Sequence, residues 1–270
     1  MVTQPVQWWC SAQGVAWTWK WRPYPGIWLV ALAIAGGYWA AVRRGPATPA
    51  ARRRRLIGWG GVLLAWLSLD WPLGPLAAGY LASAHAVQFL LLTMVVAPLI
   101  LLGLEPGLAS RPAPTGLAWR VLRFATIPLL AGIIFNIIAA VTHVPAVVDG
   151  LMVSQGGSFV LDLSWLVAGF VLWWPVVLSV PARDFPVLFK VLYLFLATLV
   201  HSGIATVMLF AEFPIYSIYQ LAPPMAGLTA MQDLQVAGGI MEIGGLLITF
   251  GVMTGLFFTW ANRTTTPDGS

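Results

Sequence analysis

Charged residues are the scarcest class in this chain, at 9% of 270 residues against 59% hydrophobic, where a soluble domain carries roughly 25%. A water-exposed surface cannot be built from so few charges, which excludes a soluble globular fold. Cysteine is nearly absent. Cys10 is the only one, which rules out an intramolecular disulfide, a CxxC redox pair or a multi-cysteine zinc site. The run Trp8-Trp9-Cys10 lacks the small residue expected before a lipoprotein cysteine, and Cys10 reads as an ordinary residue. Lysine occurs only as Lys20 and Lys190. A retinal-binding seven-helix protein needs a lysine deep in its last span, so that function is excluded. The amino terminus has no basic region leading into an apolar core, which argues against a cleaved signal peptide. Strand-like alternation is missing, which removes a barrel. No internal repeat and no charged path through the membrane supports a transporter or channel.

What is present is a series of apolar runs long enough to cross a hydrocarbon core, which takes roughly 20 helical residues. They fall near Ile27–Val42, Leu56–Leu69, Leu81–Leu102, Trp119–Val141, Phe159–Val180, Phe189–Phe210 and Val236–Trp260. Lipid offers no partner to an unpaired backbone group, so these runs must be helices. The expected fold is all-α: a seven-span bundle over residues 27–261, preceded by an external segment, 1–26, and followed by a polar tail, 262–270. Basic residues set the orientation. Arg43, Arg44 and Arg52 to Arg55 share one connection, Arg111, Arg120 and Arg123 a second, Arg183 and Lys190 a third, with Arg263 in the tail. Seven spans put all of these on one side and leave only Lys20 and Arg22 on the other. The positive-inside rule then makes the first side cytoplasmic, with the amino terminus outside and the carboxyl terminus inside. The net charge of +5 is thus topogenic, and no nucleic-acid partner is expected. Trp8, Trp9, Trp17, Trp19, Trp21, Trp71, Trp173, Trp174 and Trp260 fall mostly near span ends, where aromatic belts anchor a protein in the interface.

Ionisable residues within spans are costly and mark functional candidates. His85 lies near the outer end of the third span and His143 at the outer end of the fourth. His201 sits in the sixth, roughly 13 Å below its outer end. Asp162 enters the fifth span near its outer end, and Glu242 lies in the outer part of the seventh. All belong to the outer half. Met208 shares a helix face with His201, and Met241 neighbours Glu242 beyond Asp233 and Gln235. Imidazole and thioether together form a ligand set for Cu(I). The candidate metal ligands are therefore His85, His143, His201, Met208 and Met241, with Asp162, Gln235 and Glu242 as carboxylate or amide partners that orient imidazole N–H groups. Against this stands the plainer reading, in which a membrane histidine bonds a neighbouring helix and a methionine fills space. Asp70 is expected in the interface, and Asp149 and Glu212 in water. Three histidines are too few for two bis-histidine haems.

Four strings add a resemblance. Ser83-Ala84-His85-Ala86-Val87-Gln88-Phe89 followed by Ala97-Pro98-Leu99, then Thr142-His143-Val144-Pro145, Trp173-Trp174-Pro175-Val176, and Asp233-Leu234-Gln235-Val236-Ala237-Gly238-Gly239-Ile240-Met241 resemble motifs of the CtaG-type cytochrome c oxidase assembly factors. The resemblance covers most of the chain from Trp21 onward. It implies a non-enzymatic, multi-pass protein of a bacterial plasma membrane that helps to assemble a haem–copper oxidase of the respiratory chain, handling copper on the outer side and partnered by oxidase subunits or another membrane complex. The sequence departs from the family pattern where a methionine follows the third-span histidine and a second histidine stands four residues on; here those positions are Ala86 and Phe89. Either the remaining histidines and methionines make a changed copper site, or this chain is a structural accessory without metal.

Overall fold

The computed structural model describes residues 6–105, 116–178, 185–225 and 227–265. The structure is all-helical, 76% helix. In chain order the helices are α1 (Pro25–Val42), α2 (Pro49–Leu69), α3 (Leu73–Gly79), α4 (Ala82–Leu90), a π-helical segment (Leu91–Val96), α5 (Ala97–Gly103), α6 (Leu117–Ala125), α7 (Pro128–Thr142), α8 (Pro145–Met152), α9 (Gln155–Val177), α10 (Val187–Leu209), α11 (Ser217–Gln220) and α12 (Ala230–Thr265). Five helical stretches are long and apolar enough to cross a membrane alone, and two bent pairs raise the number to as many as seven: α2 with α3, bent by 45°, and α7 with α8, bent by 72°.

Proline decides where these elements stop. A residue before proline is driven from the helical to the extended region, and Val144, ahead of Pro145, has φ −64° and ψ 126°. α7 therefore ends at Thr142, α8 sets off in a new direction, and His143 is left as the α7 C-cap. The same rule corrects the expected fourth span, Trp119–Val141. Ile127, ahead of Pro128, has ψ 127°, so α6 is a separate helix and the span itself begins at Pro128. A second correction concerns the basic connection. Thr48 accepts a hydrogen bond from Ala51 N, and Pro49 occupies the first turn, so the helix starts there and Arg52 to Arg55 lie in α2. Arg111, Arg183, Val180, residues 1–5 and residues 266–270 lie outside the described residues.

The span running from α4 through α5 is the axis of the bundle. In its most apolar window 67% of residues are buried, against 17% for α1, whose apolar surface faces outward as lipid requires. α12 packs on α10 and α4, α2 on α5, and α9 on α7, α5 and the π segment. At the π segment, which admits an extra residue per turn and re-aims the side chains beyond it, α9 approaches very closely. A Cβ on Gly169 would stand 2.8 Å from the Thr93 carbonyl oxygen and 2.9 Å from its Cα, so glycine is required there by proximity. Trp173 Nε1 donates to that same carbonyl at 3.0 Å.

The amino-terminal segment is folded onto the helix ends. Gln155 Oε1 accepts from the backbone N–H of Trp8 and Trp9, at 2.8 and 3.3 Å; Ala12 N donates to Met152 O, and Gly26 N to Trp8 O. Trp9 and Trp173 are buried, which corrects their expected place in an aromatic belt: each indole has a buried acceptor, Asp162 at 2.8 Å for Trp9. Trp19 and Trp21 are exposed, as an interfacial role requires. Asp70 is also buried, not interfacial, because its Oδ2 accepts from the indoles of Trp28 and Trp66, both at 2.9 Å. Asp149, expected in water, caps α11 through Ser217 N and Ile218 N. Cys10 is buried with its Sγ on the Leu69 carbonyl at 3.8 Å. Burial first, and the carboxylates of Asp162 and Asp70 next, push its thiol well above its ordinary value, so it stays protonated and inert.

Candidate functional site

α4 begins where Asp233, in the first turn of α12, accepts from Ala82 N, Ser83 N and Ser83 Oγ. The two N–H groups are donors that a helix start leaves unpaired, and a carboxylate is favoured there by the helix dipole. This clamp places His85 one turn inside the bundle. The Pro145 break holds His143 at the adjacent end of α7, and α10 carries His201. All three imidazoles are buried, with 3%, 5% and 2% of their surface exposed.

The rings meet around two aromatic side chains. His85 and His143 have ring centres 6.1 Å apart. Trp165 of α9 packs against both, at 4.6 and 6.0 Å. Phe89, one turn beyond His85, lies 4.7 Å from His143 and stacks on His201 at 5.7 Å. The phenyl ring thus lies between His201 and His143. On its far side it rests on the backbone of α12, where a Cβ on Gly245 would collide with its Cε1. Trp165 is itself fixed by a hydrogen bond from Nε1 to Thr142 Oγ1 at 2.9 Å.

Nitrogen bookkeeping gives the site its chemistry. His143 Nδ1 is 2.8 Å from the Ala139 carbonyl oxygen. A carbonyl only accepts, so Nδ1 carries the proton and Nε2 of the neutral ring is left with a lone pair. That Nε2 is buried without a partner, as are both ring nitrogens of His85 and Nε2 of His201. The Ala77 carbonyl, which lies beside His85, accepts from Tyr219 Oη at 2.6 Å. Each buried polar atom left unpaired costs about 1–3 kcal/mol, and four such nitrogens belong to these three rings.

The other candidates are distributed around this cluster. Met208 and Met241 are buried in the same core. Asp162 accepts from Trp9, and both oxygens of Glu242 accept from Ser202 Oγ at 2.7 Å, tying α12 to α10. Gln235 is half-buried on α12. The orienting partner of His143 is a carbonyl of its own helix, not one of these side chains. Among the described residues no group of three or more His, Cys, Asp or Glu side chains is arranged to hold a metal ion. Asp233, Trp165 and Tyr219 are the organisers that sequence reasoning did not single out. Asp233 stood out only by its place near Gln235 and Met241 and in an Asp-x-Gln string, and nothing local to the other two distinguishes them from core aromatics.

A family model described as cytochrome c oxidase caa3 assembly factor matches residues 35–263. The chain belongs to this family. The match takes in all three histidines, Phe89, Met208, Met241 and the Asp233 clamp, and leaves the amino-terminal segment outside. No curated protein and no solved structure matches the chain. As a caa3 assembly factor it is a multi-pass membrane protein of cytochrome c oxidase assembly.

Proposed function

We propose that this assembly factor takes up Cu(I) as cargo between His85 and His143, at the end of the bundle that faces away from the cytoplasm, and delivers it during oxidase assembly. The observation that carries the reading is the pair of buried rings 6.1 Å apart whose Nε2 atoms have no partner. Two imidazoles sharing an ion across it stand with ring centres roughly 6 Å apart, since each metal–nitrogen bond is about 2 Å long. Cu(I) accepts two-coordinate binding, so the absence of a three-residue group does not count against it. Neutral imidazole is the form required, and the proton on His143 Nδ1 leaves its Nε2 free to bind. Met208 and Met241 are soft donors for entry or exit of the ion. The partition of cations supports the orientation, since among the described residues only Lys20 and Arg22 lie at the histidine end.

One observation favours a second reading, a structural accessory without metal: Phe89 fills the space that joins His201 to the other two. Cells that lack this chain and express His85→Ala or His143→Ala separate the two. Copper handling predicts that either variant accumulates in the membrane at the wild-type level, yet the assembled oxidase is depleted of copper and its activity falls by roughly tenfold or more, the scale of a lost metal partner. Full oxidase assembly with both variants would overturn the copper reading in favour of the accessory.

A further inference from the structure

A cleft lies at the same end of the bundle, between the amino-terminal segment and the α2–α3–α4 turns. It has about 340 Å³ of empty space counting its open mouth, and its enclosed part is narrow. Trp17, Lys20, Arg22, Trp71 and Tyr80 are among its walls, and no carboxylate lines it. Two features of these walls are unaccounted for. The indole N–H groups of Trp17 and Trp71 are both buried with no hydrogen-bond partner, although indole is a donor that normally finds an acceptor when buried. Lys20 and Arg22 are the only cations among the described residues outside the stretches that the charge rule places on the opposite side, and that rule disfavours cations at this end.

We infer that this cleft binds an oxyanion of the phosphate class, held by the Trp17 and Trp71 indole N–H groups and neutralised by Arg22 and Lys20. An acceptor-only anion supplies what both unpaired donors lack, and charge-assisted bonds are the strong ones. The rings pack against one another: Trp17 edge-on against Tyr80 at 5.1 Å, and Trp19 against Trp17 and Trp71 at 5.4 and 6.1 Å. Tyr80 is held in turn by donating to the Val15 carbonyl at 2.8 Å. Burial raises the phenols of Tyr24 and Tyr80, and in both Arg22 is the positive charge that opposes the rise, so the guanidinium acts electrostatically on the cleft. The cleft stands at the level of helix ends, Tyr24 preceding α1, Trp71 following α2 and Tyr80 following α3. Phospholipid headgroups lie at that depth, flanked by interfacial tryptophan, and Trp19 and Trp21 are exposed there. The phosphate can therefore come from a lipid headgroup or from solution. This inference is independent of copper.

The test is native mass spectrometry of the full-length protein in mild detergent, titrated with phosphatidylglycerol, and separately with inorganic phosphate as competitor. The wild type should retain one phosphatidylglycerol, and the double variant Lys20→Gln with Arg22→Gln, or Trp71→Phe, which keeps a ring but removes the donor, should bind it about tenfold more weakly. A control, Arg53→Gln at the opposite end, should bind as the wild type does. Retention that millimolar phosphate does not disturb identifies the headgroup as the source; displacement by phosphate alone identifies a free anion. Thermal melting of each variant reports its fold. Equal binding by the wild type and by folded variants, or no binding of either probe by the wild type, would overturn the assignment.

Discussion

Phe89→His is expected to raise the affinity for Cu(I) by roughly tenfold or more, about 1.4 kcal/mol or above. Residues 85 and 89 lie in the regular α-helical part of the third span, before the π segment begins at Leu91, and side chains four apart share a helix face. The phenyl ring to be replaced already touches His143 and His201. An imidazole in its place adds a donor next to His85 and removes the spacer that keeps His201 out of reach. Anaerobic competition with a Cu(I) chelator measures the change. Unchanged affinity in a variant that folds normally would mean that the walls around Phe89 no longer converge on an ion, and the structural accessory would be the better account.

Trp165→Ala should be the most damaging single change in the cluster for stability, by about 3–5 kcal/mol for loss of a fully buried aromatic side chain. The indole is buried, spans the distance between His85 and His143, and touches Phe89 at 5.3 Å. Its removal leaves a cavity at the point where α4, α7 and α9 meet. Trp165→Phe retains most of the packing and gives up the hydrogen bond to Thr142 Oγ1, a loss of about 1 kcal/mol. Thermal unfolding of the purified variants in one detergent should therefore rank wild type, Phe and Ala in that order. Equal melting of the wild type and Trp165→Ala would show that the three helices are held together elsewhere.

The helices themselves were legible because lipid and a self-satisfied backbone leave the chain little choice. Five of the seven apolar runs correspond to single helices long enough to span and the other two to bent helix pairs, and the end of the bundle that gathers the histidines follows from counting turns alternately up and down. What could not be read locally were the breaks and the pairings. The Trp119–Val141 run hides a turn at Ile127–Pro128 that hydropathy averages away. The arginines at 52–55 look like a loop by charge, yet Thr48 and Pro49 start a helix in front of them. Trp9 reads as interfacial until its acceptor is known, and Asp162 is 153 residues away. The site shows the same limit. His85, His143 and His201 stand out as rare polar residues in the outer half of their spans, but the phenyl ring, the indole beside them and the Asp233 clamp are ordinary letters until distant helices are packed together. Nor does spacing reveal that Asp162 and Glu242 are committed to Trp9 and Ser202.

The most direct measurement of the central claim is an anaerobic Cu(I) titration of the purified protein in mild detergent, beside the variants His85→Ala, His143→Ala and His201→Ala. The account predicts a single tightly held Cu(I) ion per chain, lost in each of the first two variants and retained in the third, because the Phe89 ring stands between His201 and His143. A folded wild-type protein that holds no stoichiometric copper, or binding that survives the loss of both His85 and His143, would contradict it.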